Sequence, residues 1–143
     1  MKRFKYKYER LLNLKEIEEK REFALLSRIR SNIEKETQNK NKLKHDVEDL
    51  RKKVNELEFF NVEDLRYYSL KNRELENNIV NIENKIEELK QKEIKQNDVV
   101  VEIRKNKKIL EKLKEKHKIA FFKEEEKQLS KFMDELGTQR FKR

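Results

Sequence analysis

Residues able to do chemistry are plentiful in this chain, but their spacing works against it. Carboxylates come in runs, at Glu87 and Glu88 and again at Glu124, Glu125 and Glu126. General acid–base work needs a carboxyl displaced from its usual pKa, and runs on a solvated helix face lack the desolvation that would displace it. His45 and His117 stand alone, with no ligand-spaced companion, so no metal site is expected. A phosphate-cradling loop needs several glycines for close backbone approach, and the only glycine is Gly137. Cysteine is absent, which removes disulfides and Cys-based metal sites and fits a reducing interior. The expectation is a protein that is not an enzyme and holds neither cofactor nor metal.

What remains is charge. Thirty-eight basic against 29 acidic residues leave a net charge of +9. The densest run is Arg104, Lys105, Lys107, Lys108, Lys112, Lys114, Lys116 and Lys118. A field of this sign favours nucleic acid, an anionic membrane surface or an acidic protein cavity. No recognised nucleic-acid motif accompanies the run, so nucleic acid is not the favoured partner.

The elements that must carry these residues are helices. With 47% charged and 34% hydrophobic residues, the chain has too little apolar material for a globular core, but enough for a two-helix seam. A 3-4-3-4 repeat supplies that seam. One arm reads Leu26, Ile29, Ile33, Glu36, Lys40, Leu43, Val47, Leu50, Val54, Leu57. The other reads Leu65, Tyr68, Asn72, Leu75, Ile79, Ile82, Ile86, Leu89, Glu93, Gln96, Val100, Ile103, Lys107, Leu110. A narrow apolar stripe can be buried only against another helix, and the single interruption near residue 61 makes the chain's own other half the nearest partner. Proline is absent, so nothing breaks the arms. The expected fold is all-α, one antiparallel two-helix coiled-coil hairpin spanning 1–143 as a single domain and monomeric. Its first arm covers about 4–60, its turn about 61–64 and its second arm about 65–136, followed by a short tail.

Asn61 is suited to cap the second arm, with Glu63 and Asp64 favoured in its first turn. A short turn sets Leu50 near Asn72 and Val47 near Leu75. A wider tip would instead set Leu57 near Leu75 and Lys40 near Glu93; the short turn is favoured because short connections are the norm between antiparallel helices. Lys107 and Lys114 fall at seam positions, so the coil is expected to be weakest there. Gly137 is placed as the residue just past the second helix.

Aromatic residues gather at the extremities. Phe4, Tyr6, Tyr8, Phe121, Phe122, Phe132 and Phe141 belong to the end with both termini, and Phe59, Phe60, Tyr67 and Tyr68 to the turn. A two-stranded seam needs few aromatics, so they read either as two contact sites or as seals against fraying.

The opening Phe4-Lys5-Tyr6-Lys7-Tyr8-Glu9-Arg10-Leu11-Leu12-Asn13-Leu14-Lys15-Glu16 resembles the start of the FliJ family of flagellar type III export proteins, with Tyr8 where an aliphatic residue is usual. Leu110-Glu111-Lys112-Leu113-Lys114-Glu115-Lys116 is similar to a later element of that family, and Asp134-Glu135-Leu136 with Arg140-Phe141 to its closing one. The resemblance spans essentially the whole chain. It implies a stalk like that of rotary ATPases, whose terminal end enters the hexameric export ATPase (FliI) and promotes its assembly. Phe4, Lys5, Lys7, Tyr8, Leu11, Leu129, Phe132, Arg140 and Arg143 are the expected ring contacts. It also implies a link to the export gate protein (FlhA) near the turn, through Phe59, Phe60, Tyr67, Tyr68 and Leu75, and binding of export chaperones. Leu75 matches a family contact position, whereas Lys71 replaces an aromatic and Ile82 a histidine.

The basic N-terminus lacks the apolar stretch of a signal peptide, and no apolar run approaches the roughly 20 residues that cross a bilayer. The expected location is the cytoplasm, peripheral at the inner membrane through the gate. Two other readings are a basic nucleic-acid-associated coiled coil and the equivalent stalk of a virulence injectisome.

Overall fold

A chain without proline, and with apolar residues every three or four positions, satisfies its backbone in long helices and its side chains along one seam. The structure, a computed structural model, describes residues 2–59 and 61–141. Helix α1 runs Glu9–Glu56 and helix α2 runs Val62–Phe141. They pack against each other as an antiparallel two-helix hairpin, all-α as expected. Among the described residues, no helix is long and apolar enough to cross a membrane.

Boundaries differ from the sequence reading at three places. The first arm starts at Glu9 rather than near Phe4, because residues 2–6 are non-helical and Tyr6 turns inward instead of joining the helix. It ends at Glu56, with the Leu57 amide donating to the Val54 carbonyl at 3.3 Å, so the connection precedes Asn61 rather than following it. The second arm runs through Gly137 to Phe141. Gly137 has no positive φ and is an interior helix residue, not a terminator. Thr138 donates to the Asp134 carbonyl at 2.9 Å in the same turn, keeping its hydroxyl inside the helix.

Asn61 caps α2 as expected: its side-chain oxygen accepts the Asp64 amide at 2.7 Å, while its carbonyl accepts the Leu65 amide at 3.2 Å. Glu63 and Asp64 lie in the first turn, where the positive end of the helix dipole favours them.

The chain forms two compact units. Unit 2, Glu22–Val99, holds the turn. Every expected seam position of α1 from Leu26 to Leu57 is at least partly covered, and so is every one of α2 from Tyr68 to Gln96. Leu26 is the most enclosed, at 1% exposure, with Ile86 also buried. Leu65 is the exception at 58%, level with the connection that follows the end of α1 at Glu56. Polar seam residues are matched across the pair: Lys40 to Glu83 at 3.3 Å, and Arg30 to Glu93 at 3.8 Å. Moving ten residues back along α1 thus moves ten forward along α2. This is the register of the short turn. The wide tip would have joined Lys40 to Glu93, and Glu93 is instead taken by Arg30. Gln96 Nε2 donates to both the backbone carbonyl and the carboxylate of Glu22, at 2.9 and 2.7 Å.

Unit 1, Met1–Arg21 with Val100–Arg143, holds both termini. Its core is Tyr6, Leu12, Val100 and Ile103, with Val100 at 1% exposure. Glu19 with Arg104 and Glu9 with Lys114 repeat the ten-for-ten antiparallel step within this unit.

Candidate functional site

Lysines at core positions should open a coiled coil, yet at Lys107 and Lys114 this seam is tied. Lys107 Nζ lies 3.0 Å from one Glu19 oxygen, and Arg104 Nε lies 3.0 Å from the other. Lys114 Nζ lies 2.8 Å from Glu9. Each lysine stem covers apolar surface while its ammonium reaches a carboxylate on the opposite helix, so both core lysines are partnered. The ionisations respond. Hydrogen bonds from Lys107, then from Arg104, hold the Glu19 carboxyl below its usual range. The bond to Glu19 raises Lys107, and the bond to Glu9 raises Lys114.

Beyond Lys114 there is no α1 opposite, because α1 begins at Glu9. The N-terminal residues take its place as a non-helical strap. Tyr6 is buried there and its hydroxyl donates to the Leu110 carbonyl at 2.9 Å. Burial pushes the phenol up, since the phenolate would be desolvated. His117 stacks beside both tyrosines, with ring centroids 5.8 Å from Tyr6 and 6.5 Å from Tyr8. Phe4 packs on Phe121 at 5.5 Å. The sequence reading places Tyr6 among the terminal aromatics that serve as a contact site or a seal, and takes His117 as a lone packed or solvated residue; neither reading names these partners. Nothing local marks either residue, because their partners lie about a hundred positions away along the chain.

The residues expected at the terminal end are unequally placed. Phe4 and Lys5 border one small hollow with Tyr6, Glu9 and Lys114, and the Lys7 ammonium sits 5.6 Å from the Tyr8 ring centre. Leu11 on α1 is exposed. Leu129 and Phe132 lie on the part of α2 past the strap, also exposed, and Arg140 is in its last turn. Arg143 lies outside the described residues. Ile119, Phe122, Met133 and Leu136, which were not among the expected contacts, share that exposure. Together these apolar side chains continue a three-and-four spacing with nothing packed on it. A groove of about 670 Å³ runs between Lys2, Ile119, Phe121, Phe122 and Leu129.

At the turn, Phe59 is 86% exposed and Tyr67 is exposed, with Tyr67 and Tyr68 ring to ring at 5.5 Å, edge on. Tyr68 and Leu75 are half-buried in the seam rather than free for contact. Phe60 lies outside the described residues. The turn set therefore divides into a free part and a part already used by the hairpin.

His45 is not without a companion. Its Nδ1 lies 3.2 Å from Asp49, and Asp46 completes three potential ligand atoms within 4.8 Å, all exposed. The i,i+4 spacing brings His45 and Asp49 together on one helix face.

Comparison with family models, with curated proteins and with solved structures finds no match to this chain.

Proposed function

We propose that the chain is a non-enzymatic stalk of a flagellar type III export apparatus. In this reading its terminal end binds the hexameric export ATPase and promotes ring assembly. Its turn end meets the export gate at the inner membrane, and export chaperones dock along it. The reading rests on the resemblance of the two end patterns to the FliJ family. The observation that supports it best is the run of α2 beyond Lys114, where Ile119, Phe122, Leu129, Phe132, Met133 and Leu136 are exposed beside the basic strap. An apolar stripe without a helix opposite, with Lys2 at its edge, suits insertion between subunits that present both apolar and acidic surface.

The rival nucleic-acid reading needs the cations of 104–118 free for phosphate. Three of them, Arg104, Lys107 and Lys114, are engaged with Glu19 or Glu9 instead. That favours the stalk.

The test is ATP hydrolysis by a hexameric export ATPase with and without the chain. Reversal of Lys5, Lys7 and Arg140 to Glu should reduce stimulation, and added salt should weaken the wild-type effect in the same direction. Undiminished stimulation by the triple variant would reject the terminal end as the ring contact. Pull-down from lysate with and without nuclease separates the rival, because a nucleic-acid binder would lose its captured partners on digestion.

A further inference from the structure

We propose that the first three turns of α2 form a docking face for an acidic amphipathic helix of a partner protein. This surface is separate from the terminal end, and it does not depend on the export reading. Val62, Leu65, Arg66, Ser69, Leu70 and Arg73 line a shallow, open groove along one face of α2. Val62 and Leu65 are exposed beyond the end of α1 at Glu56, and Leu70 is exposed on the side of α2 turned away from the seam. Leu65 is the one seam position that the hairpin leaves uncovered.

The charges on this face decide the kind of partner. Arg66 and Arg73 are seven residues apart, so they project from nearly the same side of the helix, about 10.5 Å apart along its axis. No carboxylate among the described residues pairs with either of them. Four other cations reach carboxylates across the helix pair: Arg30 to Glu93, Lys40 to Glu83, Lys107 to Glu19 and Lys114 to Glu9. Glu63 and Asp64, although close in sequence, do not line the groove. The face thus offers two unmatched guanidinium forks among valine and leucine side chains.

A guanidinium fork is best satisfied by a carboxylate taken in two parallel hydrogen bonds. Two carboxylates spaced seven residues apart on a partner helix would meet both forks, and leucines between them would cover Leu65 and Leu70. A nucleic acid would use a longer row of cations and aromatic platforms for its bases, and this groove has neither. The complementary ligand is an acidic helix with an apolar stripe, bound through side-chain pockets as other helix-in-groove ligands are.

Fluorescence anisotropy on the full chain tests this, with two labelled designed helices as probes. Both carry the same leucines at heptad spacing; one has glutamates seven residues apart and the other lysines at those positions. The glutamate helix should bind and the lysine helix should bind more weakly. Arg66→Glu with Arg73→Glu should weaken the glutamate helix by about tenfold or more, a change of about 1.4 kcal/mol, and should improve the lysine helix. Lys112→Glu with Lys116→Glu makes the same change in net charge and should leave binding within about twofold of wild type. Circular dichroism should report unchanged helicity for both variants. Equal loss in the Lys112 and Lys116 variant would reduce the effect to net charge and overturn the proposal. So would equal binding of the two helices, no binding of the glutamate helix, or displacement of it by a polynucleotide of matched charge at equal concentration.

Discussion

The two units solve one packing problem by different chemistry. Unit 2 closes mainly with aliphatic layers: Leu26 and Ile86 are buried, and a long run of Leu, Ile and Val is half-covered between them and the turn. Unit 1 has lysines where aliphatic layers should be, yet it buries Tyr6, Leu12, Val100 and Ile103 and ties its helices through Glu9 and Glu19. Cross-seam carboxylates and a third segment, the N-terminal strap, can therefore replace aliphatic layers in a two-helix coil. The consequences differ too. Aliphatic closure is indifferent to pH, whereas closure by ion pairs and a buried phenol is not.

The largest expected effect lies in unit 2. Leu26→Ala empties an enclosed seam position and should cost about 3 kcal/mol, read as a lower urea midpoint with nearly unchanged slope. A loss well under about 1 kcal/mol would mean that the seam collapses around the gap and that unit 2 closes loosely.

In unit 1, Tyr6→Phe keeps the ring and deletes only the hydrogen bond to Leu110. The melting temperature should fall, though by less than with Leu26→Ala, and trypsin should cut sooner after Lys5 and Lys7. Unchanged cleavage would show that the strap is held by its rings alone.

The pH dependence sharpens the contrast. The Glu19 carboxyl is depressed from its ordinary 4.5, so its contribution is present above that value and lost as pH falls through the lower folded-state value. The Lys107 and Lys114 ammonium groups are raised above 10.5, so their contribution is complete below 10.5 and lost as pH rises through their folded-state values. Tyr6, raised above 10.0, adds to the alkaline loss. Thermal melts should hold level near neutrality and fall at both extremes, and Glu19→Gln should flatten the acid limb. An acid limb unaltered by Glu19→Gln would remove this pair from the account.

Smallest is Gly137→Ala. Because the residue is helical with open space around it, the methyl group should stabilise α2 by about 0.5–1 kcal/mol. Destabilisation would reinstate Gly137 as a helix terminator with positive φ.

What the sequence made legible follows from the range of the interactions. Seam positions from Leu26 onward are a periodic signal, and covering each of them needs only one partner helix. Asn61 was readable as a cap because its bond to the Asp64 amide is three residues long. Gly137 was misread because glycine favours helix ends only statistically, and the residues after it continue the turn. The start of α1 was misplaced because helix periodicity reaches back to Phe4, while the contact that unwinds residues 2–6 joins Tyr6 to Leu110 across the chain. Lys107 and Lys114 looked like defects because their carboxylates lie on the other arm. At the turn the aromatic set stands out in the sequence, whereas Arg66 and Arg73 do not, because two cations seven residues apart are common in a chain this basic.

Both exposed ends depend on α2 returning along α1 in a single register, and cross-linking measures that directly in a chain without native cysteines. Lys40→Cys with Glu83→Cys, in unit 2, should be bridged by a short bismaleimide within one chain, giving a monomer-sized product whose yield does not change on dilution. Glu9→Cys with Lys114→Cys should do the same in unit 1. Efficient bridging of Lys40→Cys with Glu93→Cys in place of the first pair, or products of dimer mass that vanish on dilution, would contradict the short-turn hairpin.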